Sequence, residues 1–229
     1  MCQHGFGMGY AFMEFPAFHA AHLHHDLGLN LVGPTLPVHG HRKVSAMSGD
    51  EFLSFDLMNA VHGLAQSVWD VRRVLTWVRA QEPTDVGLYG FSLGGYVASL
   101  VAAFEPGLDL VIAGVPVSDF PALFASQSPM VIRHRAVEHG ILGGPADEVH
   151  RVVSPLVLDP TVPFERRYVF AGQGDRMAPP PAGVRPVAAL GQAPHAVVPG
   201  NHMGFLWSSE VKGFIDEALT ERGLVAPPP

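Results

Sequence analysis

A chain of 229 residues, 48% of them hydrophobic and 15% charged, carries enough apolar mass for one sizeable core and points to a single domain over residues 1–229. Its formal net charge of −7, with no basic run, argues against a nucleic-acid partner, whose phosphates select clustered Lys and Arg. One cysteine, Cys2, excludes an internal disulfide framework and fits a reducing, cytoplasmic location. No apolar run is long enough to span a membrane, and Met1 to Met8 carry no signal-peptide pattern.

The chain opens on Cys2-Gln3-His4-Gly5-Phe6-Gly7-Met8-Gly9, which reads as a strand end entering a glycine-rich turn. Residues 13–28 follow as a predicted helix with Pro16 in its first turn and Gly28 as its stop. Its histidines His19 and His22 stand three apart and could share a face, but acidic or cysteine partners at ligand spacing are missing, so no metal is expected. A strand is predicted near Leu29–Gly33. The turn formers of Gly33 to Arg42 come next, with His39 or His41 as substrate contacts or the whole as an ordered surface turn. Gly49-Asp50-Glu51 is a polar break suited to a short lid or a helix start. From Asp56 to Ala80, Leu57, Val61, Leu64, Val68, Val71, Leu75 and Val78 recur at threes and fours, the spacing of a helix with one buried face, and Glu82-Pro83 stops it.

Val86 to Tyr89 is a short apolar strand, followed by Gly90-Phe91-Ser92-Leu93-Gly94-Gly95 and the uncharged helical run Tyr96 to Ala103. Leu108 to Pro116 is a continuous apolar run of the kind buried on both faces of a parallel sheet. Asp119 lies just past its carboxyl end, where it is either an acid of the site or a cap for the segment after it. Residues 124–158 have room for two helices. Tyr168 to Gly172 resumes the strand signal and leads to Gly174-Asp175, through Pro179. Ala196 to Pro199 is a last short strand before Gly200-Asn201-His202-Met203-Gly204, a helix over Glu210 to Arg222 follows, and the Pro-rich tail is disordered by composition.

The strand, Gly-x-Ser-x-Gly turn and helix around Ser92 resemble the nucleophile elbow of the α/β-hydrolase superfamily. The His4-Gly5-Phe6-Gly7 run resembles that family's His-Gly-x-Gly loop, the Asp175 loop its Gly-x-x-Asp-x-x-x-Pro acid loop, and the His202 loop its histidine loop, in the family's order Ser, Asp, His. The resemblance covers Gln3 to Gly223. It implies a three-layer αβα sandwich with a mostly parallel sheet, no cofactor, and helices inserted as a cap at about 124–158. It also implies that the family's first two strands and most of its third do not precede the loop. The Leu29–Gly33 strand would then be a sheet edge, from either an N-terminally shortened chain or an edge covered by a partner such as a second copy.

A serine hydroxyl attacks a carbonyl only with a base in reach and a group to orient that base. On this reading Ser92 is the nucleophile, His202 the base and Asp175 the acid, with Asp119 as alternative acid; Leu93 and Phe6 supply backbone N–H groups to the oxyanion, and Gly7 and His39 meet the substrate. The expected activity is cleavage of a small-molecule carboxylic ester or thioester through an acyl-enzyme. Acyl transfer to an alcohol or amine, and a non-catalytic binding protein that keeps the fold, are the alternatives. A serine nucleophile counts against dehalogenases of the same fold, which use an aspartate.

Overall fold

A computed structural model describes residues 1–52, 56–117, 119–178 and 195–226. Among the described residues, five strands form one all-parallel sheet: β1 (Cys2–Gln3), β2 (Gly87–Phe91), β3 (Leu110–Gly114), β4 (Arg167–Gly172) and β5 (His195–Val198), in the spatial order of the sequence. The register pairs Gly87 with Leu110, Val111 with Arg167 and Val169 with His195. Side chains alternate across the sheet with the period of two that a pleated strand imposes. Leu88, Val111, Ala113 and Val169 enter one core; Tyr89, Leu110, Ile112, Tyr168 and Phe170 enter the other. Both faces are therefore covered, and the strands need no polar side.

The first core is closed by α2 (Leu57–Arg79) and α3 (Leu93–Val101). The helical period predicted from Asp56 is met: the Asp56 carboxylate accepts hydrogen bonds from Met58 and Asn59 N–H, capping the helix, and Val61, Leu64, Val71 and Leu75 are buried along one stripe. α2 is tied to the far end of α3 through Glu105, whose carboxylate accepts from Arg72 and Arg79 at 2.7 Å each. The second core is closed by the segment after β1 and by the C-terminal helix α7 (Ser209–Glu221), which buries Val211, Ile215, Ala218 and Leu219. Between β3 and β4 lie α4 (Phe120–Gln127), capped by Asp119, and then α5 (Met130–Glu138) and α6 (Pro145–Arg151), the two helices that residues 124–158 have room for.

Two local expectations change. The helix predicted over 13–28 is broken into α1 (Ala11–Ala17) and a π-helical turn (His22–Asp26), because the chain bends at Phe18 and His19. Phe18 turns into the core against Phe91 and Tyr89, with ring centroids 4.7 and 5.1 Å away, and His19 takes φ = +49°. A strand does not form at Leu29–Gly33. The Cys2 N–H donates to the Val32 carbonyl at 2.8 Å, but β1 is two residues long, too short to template a ladder there, and Pro34 has no N–H to extend one. The Pro227–Pro229 tail and Pro179 of the acid loop lie outside the described residues. Among the described residues, no helix is long and apolar enough to cross a membrane.

Candidate active site

Ser92 sits where β2 turns into α3, with φ = +54° and ψ = −119°, a conformation that a residue with a side chain adopts at a cost of about 1–3 kcal/mol. Its N–H donates to the Gly114 carbonyl of β3 at 2.8 Å, which fixes the turn to the neighbouring strand. The two flanking glycines answer to space. A Cβ at Gly90 would strike the Gly94 carbonyl, and one at Gly94 would strike the Gln3 and His4 carbonyls. The start of α3 thus lies directly against the end of β1, and the loop beyond β1 is carried to the nucleophile turn.

Three side chains from three strand ends meet there. The Ser92 hydroxyl is 2.8 Å from His202 Nε2, and His202 Nδ1 is 2.7 Å from an oxygen of Asp175. With Asp175 ionised, Nδ1–H donates to it and Nε2 is left to accept from Ser92. The second Asp175 oxygen accepts from the N–H groups of Met177 and Ala178, each at 2.8 Å, so the carboxylate is held by three donors and its side chain is fully buried. The loops that carry Asp175 and His202 are braced against each other: Gln173 N–H donates to Val198 O and Gly174 N–H to Gly200 O, both at 2.8 Å. Asp119 is elsewhere. Its carboxylate accepts from Ala122 N–H at 2.9 Å as the N-cap of α4, and it lines a second cavity, of about 590 Å³, with Tyr96 and His150. The Nδ1 of His202 is already joined to Asp175, so the alternative acid is not in place.

The His4–Met8 loop closes as a turn in which Met8 N–H donates to Gly5 O at 3.3 Å, with Gly7 at φ = +78°. A Cβ on Gly5 would stand 3.5 Å from that of Ser92, so the loop passes beside the nucleophile. The turn bond uses the Met8 N–H and leaves those of Phe6 and Gly7 outside it, while Leu93 opens α3 and its N–H has no acceptor one turn back. His4, which sequence reasoning treated only as part of a motif, anchors this loop. Its Nδ1–H donates to Gly5 O at 2.8 Å, and its Nε2 accepts from Leu36 N–H at 3.0 Å. Burial above all holds its pKa down, at about 4, so the ring is neutral and keeps the lone pair that Leu36 needs.

His39 requires a correction. It is 0% exposed, donates from Nδ1 to Pro37 O at 2.8 Å, and packs between Phe6 and Phe52, so it supports the Phe6 loop from behind and meets no substrate. His41 stands against the Tyr10 ring and is also outside the cavity at Ser92. His22 spends both ring nitrogens on carboxylates, Asp26 at 2.8 Å and Asp216 at 2.9 Å, and so joins the π-helical turn to α7. Burial works against its charge, but those two bonds leave its pKa raised.

Ser92 and His202 open into a cavity of about 1380 Å³. Gly7 lines it, as expected. Its walls come from both ends of the chain, residues 5–31 and 202–207, together with Phe91, Ser92 and Met177, and none of residues 124–158 lines it. Sequence reasoning missed this wall. The signal available was the density of Phe and Met in residues 12–15 and 203–207, within segments otherwise read only for histidines and glycines.

A parallel sheet with a strained serine between strand and helix, and a histidine and an acid delivered by the next strand ends, is the architecture of an α/β-hydrolase, and the chain has the α/β-hydrolase fold. Among solved structures it resembles TT1662 from Thermus thermophilus, with TM-score 0.67 and 16% identity over 96% of this chain and 87% of that one. It also resembles Est1E from Butyrivibrio proteoclasticus, solved with ferulic acid bound, with TM-score 0.59 and 17% identity over 97% and 87% of the two chains. No protein-family model matches. In sequence the chain is 41% identical over 230 residues to the uncharacterized proteins Rv2627c and MT2702 of two Mycobacterium tuberculosis strains. The match takes in 100% of this chain and 55% of each relative, so the chain spans about half the length of the curated relatives it matches.

Proposed function

We propose that the protein is a serine hydrolase that cleaves a carboxylic ester or thioester through an acyl-enzyme on Ser92. The observation that carries this reading is the unbroken chain of hydrogen bonds from Ser92 Oγ through His202 to Asp175, at 2.8 and 2.7 Å. Ser92 Oγ attacks the carbonyl carbon as its proton passes to His202 Nε2, and Asp175 stabilises the imidazolium that forms. The oxyanion is met by the N–H groups of Leu93 and Phe6, one from the helix start and one from the adjacent loop. Collapse of the tetrahedral intermediate breaks the bond to the leaving oxygen or sulfur, which takes the proton from His202. Water then repeats the sequence on the acyl-enzyme, giving a carboxylic acid and free Ser92. The likeness in fold to an esterase such as Est1E supports the same class of chemistry.

The test is active-site labelling and turnover. A fluorophosphonate probe is expected to label the wild type and not Ser92→Ala, and equal labelling of the two would overturn the assignment. Asp175→Asn should lower kcat on a chromogenic ester by on the order of 10³–10⁴, since the amide holds the imidazole in the wrong tautomer. Asp119→Asn, which retains a capping side chain, should stay within about twofold.

A further inference from the structure

The cavity at Ser92 is unusual in its chemistry. Among the described residues, no Asp, Glu, Lys or Arg lines it, and its ionisable side chains are histidines. Several of these have their polar atoms engaged elsewhere, His22 with two carboxylates and His24 with the Leu29 carbonyl. His19, His25 and Asn30 add polar groups, and the rest of the described lining is predominantly hydrocarbon, aromatic and thioether surface. Phe91 and Phe205 form its inner wall beside Ser92. At its mouth Phe12, Phe15 and Trp207 are 76%, 65% and 80% exposed, three large apolar side chains from two distant segments standing around one opening. Such a concentration marks a binding surface, because isolated exposed apolar residues are ordinary but clustered ones around a pocket are not. A ligand carrying phosphate or carboxylate groups would call for Arg or Lys in the wall, and the described lining residues supply neither.

Resting on the hydrolase reading of Ser92, we infer that this cavity receives the long alkyl chain of a neutral ester, with Phe12, Phe15 and Trp207 gripping the methylenes farthest from the scissile carbonyl. At about 1380 Å³ it exceeds the usual volume of a small-molecule pocket, roughly 300–1,000 Å³, which suits an extended flexible chain better than a compact acid. The chain belongs to either the acyl or the alcohol half of the ester. Burying one methylene is worth up to about fourfold in binding, so selectivity should climb steadily with length.

The experiment has two arms below the micellar concentration: p-nitrophenyl esters with acyl chains of increasing length, and alkyl acetates with alcohol chains of increasing length. In each, kcat/KM is measured on the wild type, and affinity for the same esters is measured calorimetrically on Ser92→Ala. The expected result is a rise of two- to fourfold per methylene in one arm, in both kcat/KM and affinity, and the arm that rises identifies the half of the ester that carries the chain. In Phe12→Ala/Trp207→Ala, the ratio of kcat/KM on the longest ester to that on the shortest should fall at least tenfold. Flat or falling profiles in both arms, or an unchanged ratio in the double variant, would overturn the inference. Short esters turned over at Ser92 with flat profiles leave the hydrolase reading standing without this pocket. Affinity that rises with length in Ser92→Ala, with no turnover by the wild type, supports the alkyl pocket and removes the hydrolase reading instead.

Discussion

Both ring nitrogens of His4 are taken up by backbone groups, and the loop beside Ser92 depends on its charge state. Its pKa falls from 6.5 to about 4 on folding, through burial first, opposed by the bond to Gly5 and assisted by nearby His39. Between about pH 4 and 6.5 the unfolded chain therefore binds more protons at this position than the folded one, and stability rises with pH across that window. The contribution is complete above pH 6.5 and is lost as pH falls toward 4, a difference of roughly 3 kcal/mol. Glu14, 4.0 Å away, has a raised pKa because of burial, and its slope has the opposite sign. His4→Gln removes the titration and keeps an amide able to hydrogen-bond. Urea unfolding at pH 7 and 4.5 should show a gap between the two conditions smaller by about 2 kcal/mol in the variant than in the wild type. Parallel behaviour of the two proteins would assign the acid limb to other groups. His39 illustrates why such roles are hard to read in advance. The Pro37-Val38-His39-Gly40 segment identifies a turn, but the direction of the imidazole follows from Val38 at φ = +54° and from Phe6 and Phe52 closing around the ring.

Among the elements, the junction of β2, α3 and β1 is the most constrained. The approach of α3 to the Gln3 and His4 carbonyls leaves no room for a methyl group at Gly94, and these are backbone atoms that cannot step aside singly. Gly94→Ala should drive the β1 end and the Phe6 loop away from Ser92; on the proposed oxyanion role of Phe6, kcat on an ester should then fall by on the order of 10²–10³. Gly213, inside α7 with open space where its Cβ would be, is the contrasting position. Gly213→Ala should raise stability by up to about 1 kcal/mol and leave kcat unchanged, as a thermal melt and the same assay would show. The elements legible in the sequence were those with a single strong period and clear stops: α2, the strand and helix around Ser92, and the apolar run of β3. The helix over 13–28 was misjudged because Phe18 gains more from the core than the helix gains from continuity. The Leu29–Gly33 strand failed for want of a long partner.

Over the whole molecule, the site and the second core share one aromatic assembly. Phe91 precedes Ser92, Phe205 follows His202 by three residues, and their rings lie 5.0 Å apart; Phe205 also meets Phe170 of β4 at 5.7 Å, and Phe91 meets Phe18 at 4.7 Å. The distance from Ser92 to His202 is thus set by packing beneath them as well as by their own hydrogen bond. Phe205→Ala should cost about 3–5 kcal/mol in urea unfolding and also lower kcat on an ester, because His202 loses its support. Phe205→Leu, with most of the volume retained, should recover much of both. A purely structural role would lower stability and leave the kcat of the folded fraction untouched. The Ser92, Asp175 and His202 set was legible because each residue falls just beyond an apolar strand, a relation that exists along the chain. The cavity was not, because its walls join residues 5–31 to 202–207, and no local pattern records which distant segments will lie side by side.

The sheet carries its strands in the order in which they are made. Among the described strands, each after β1 pairs with the one made just before it, so these five can be added at one side as the chain leaves the ribosome. Ser92 and His202 are 110 residues apart, roughly 5–20 s of synthesis. During that interval the segment of the serine turn has been made, while the imidazole that contacts its hydroxyl has yet to be polymerised. The order of translation itself therefore keeps the nascent chain from holding an assembled Ser–His–Asp set until β5 has been made.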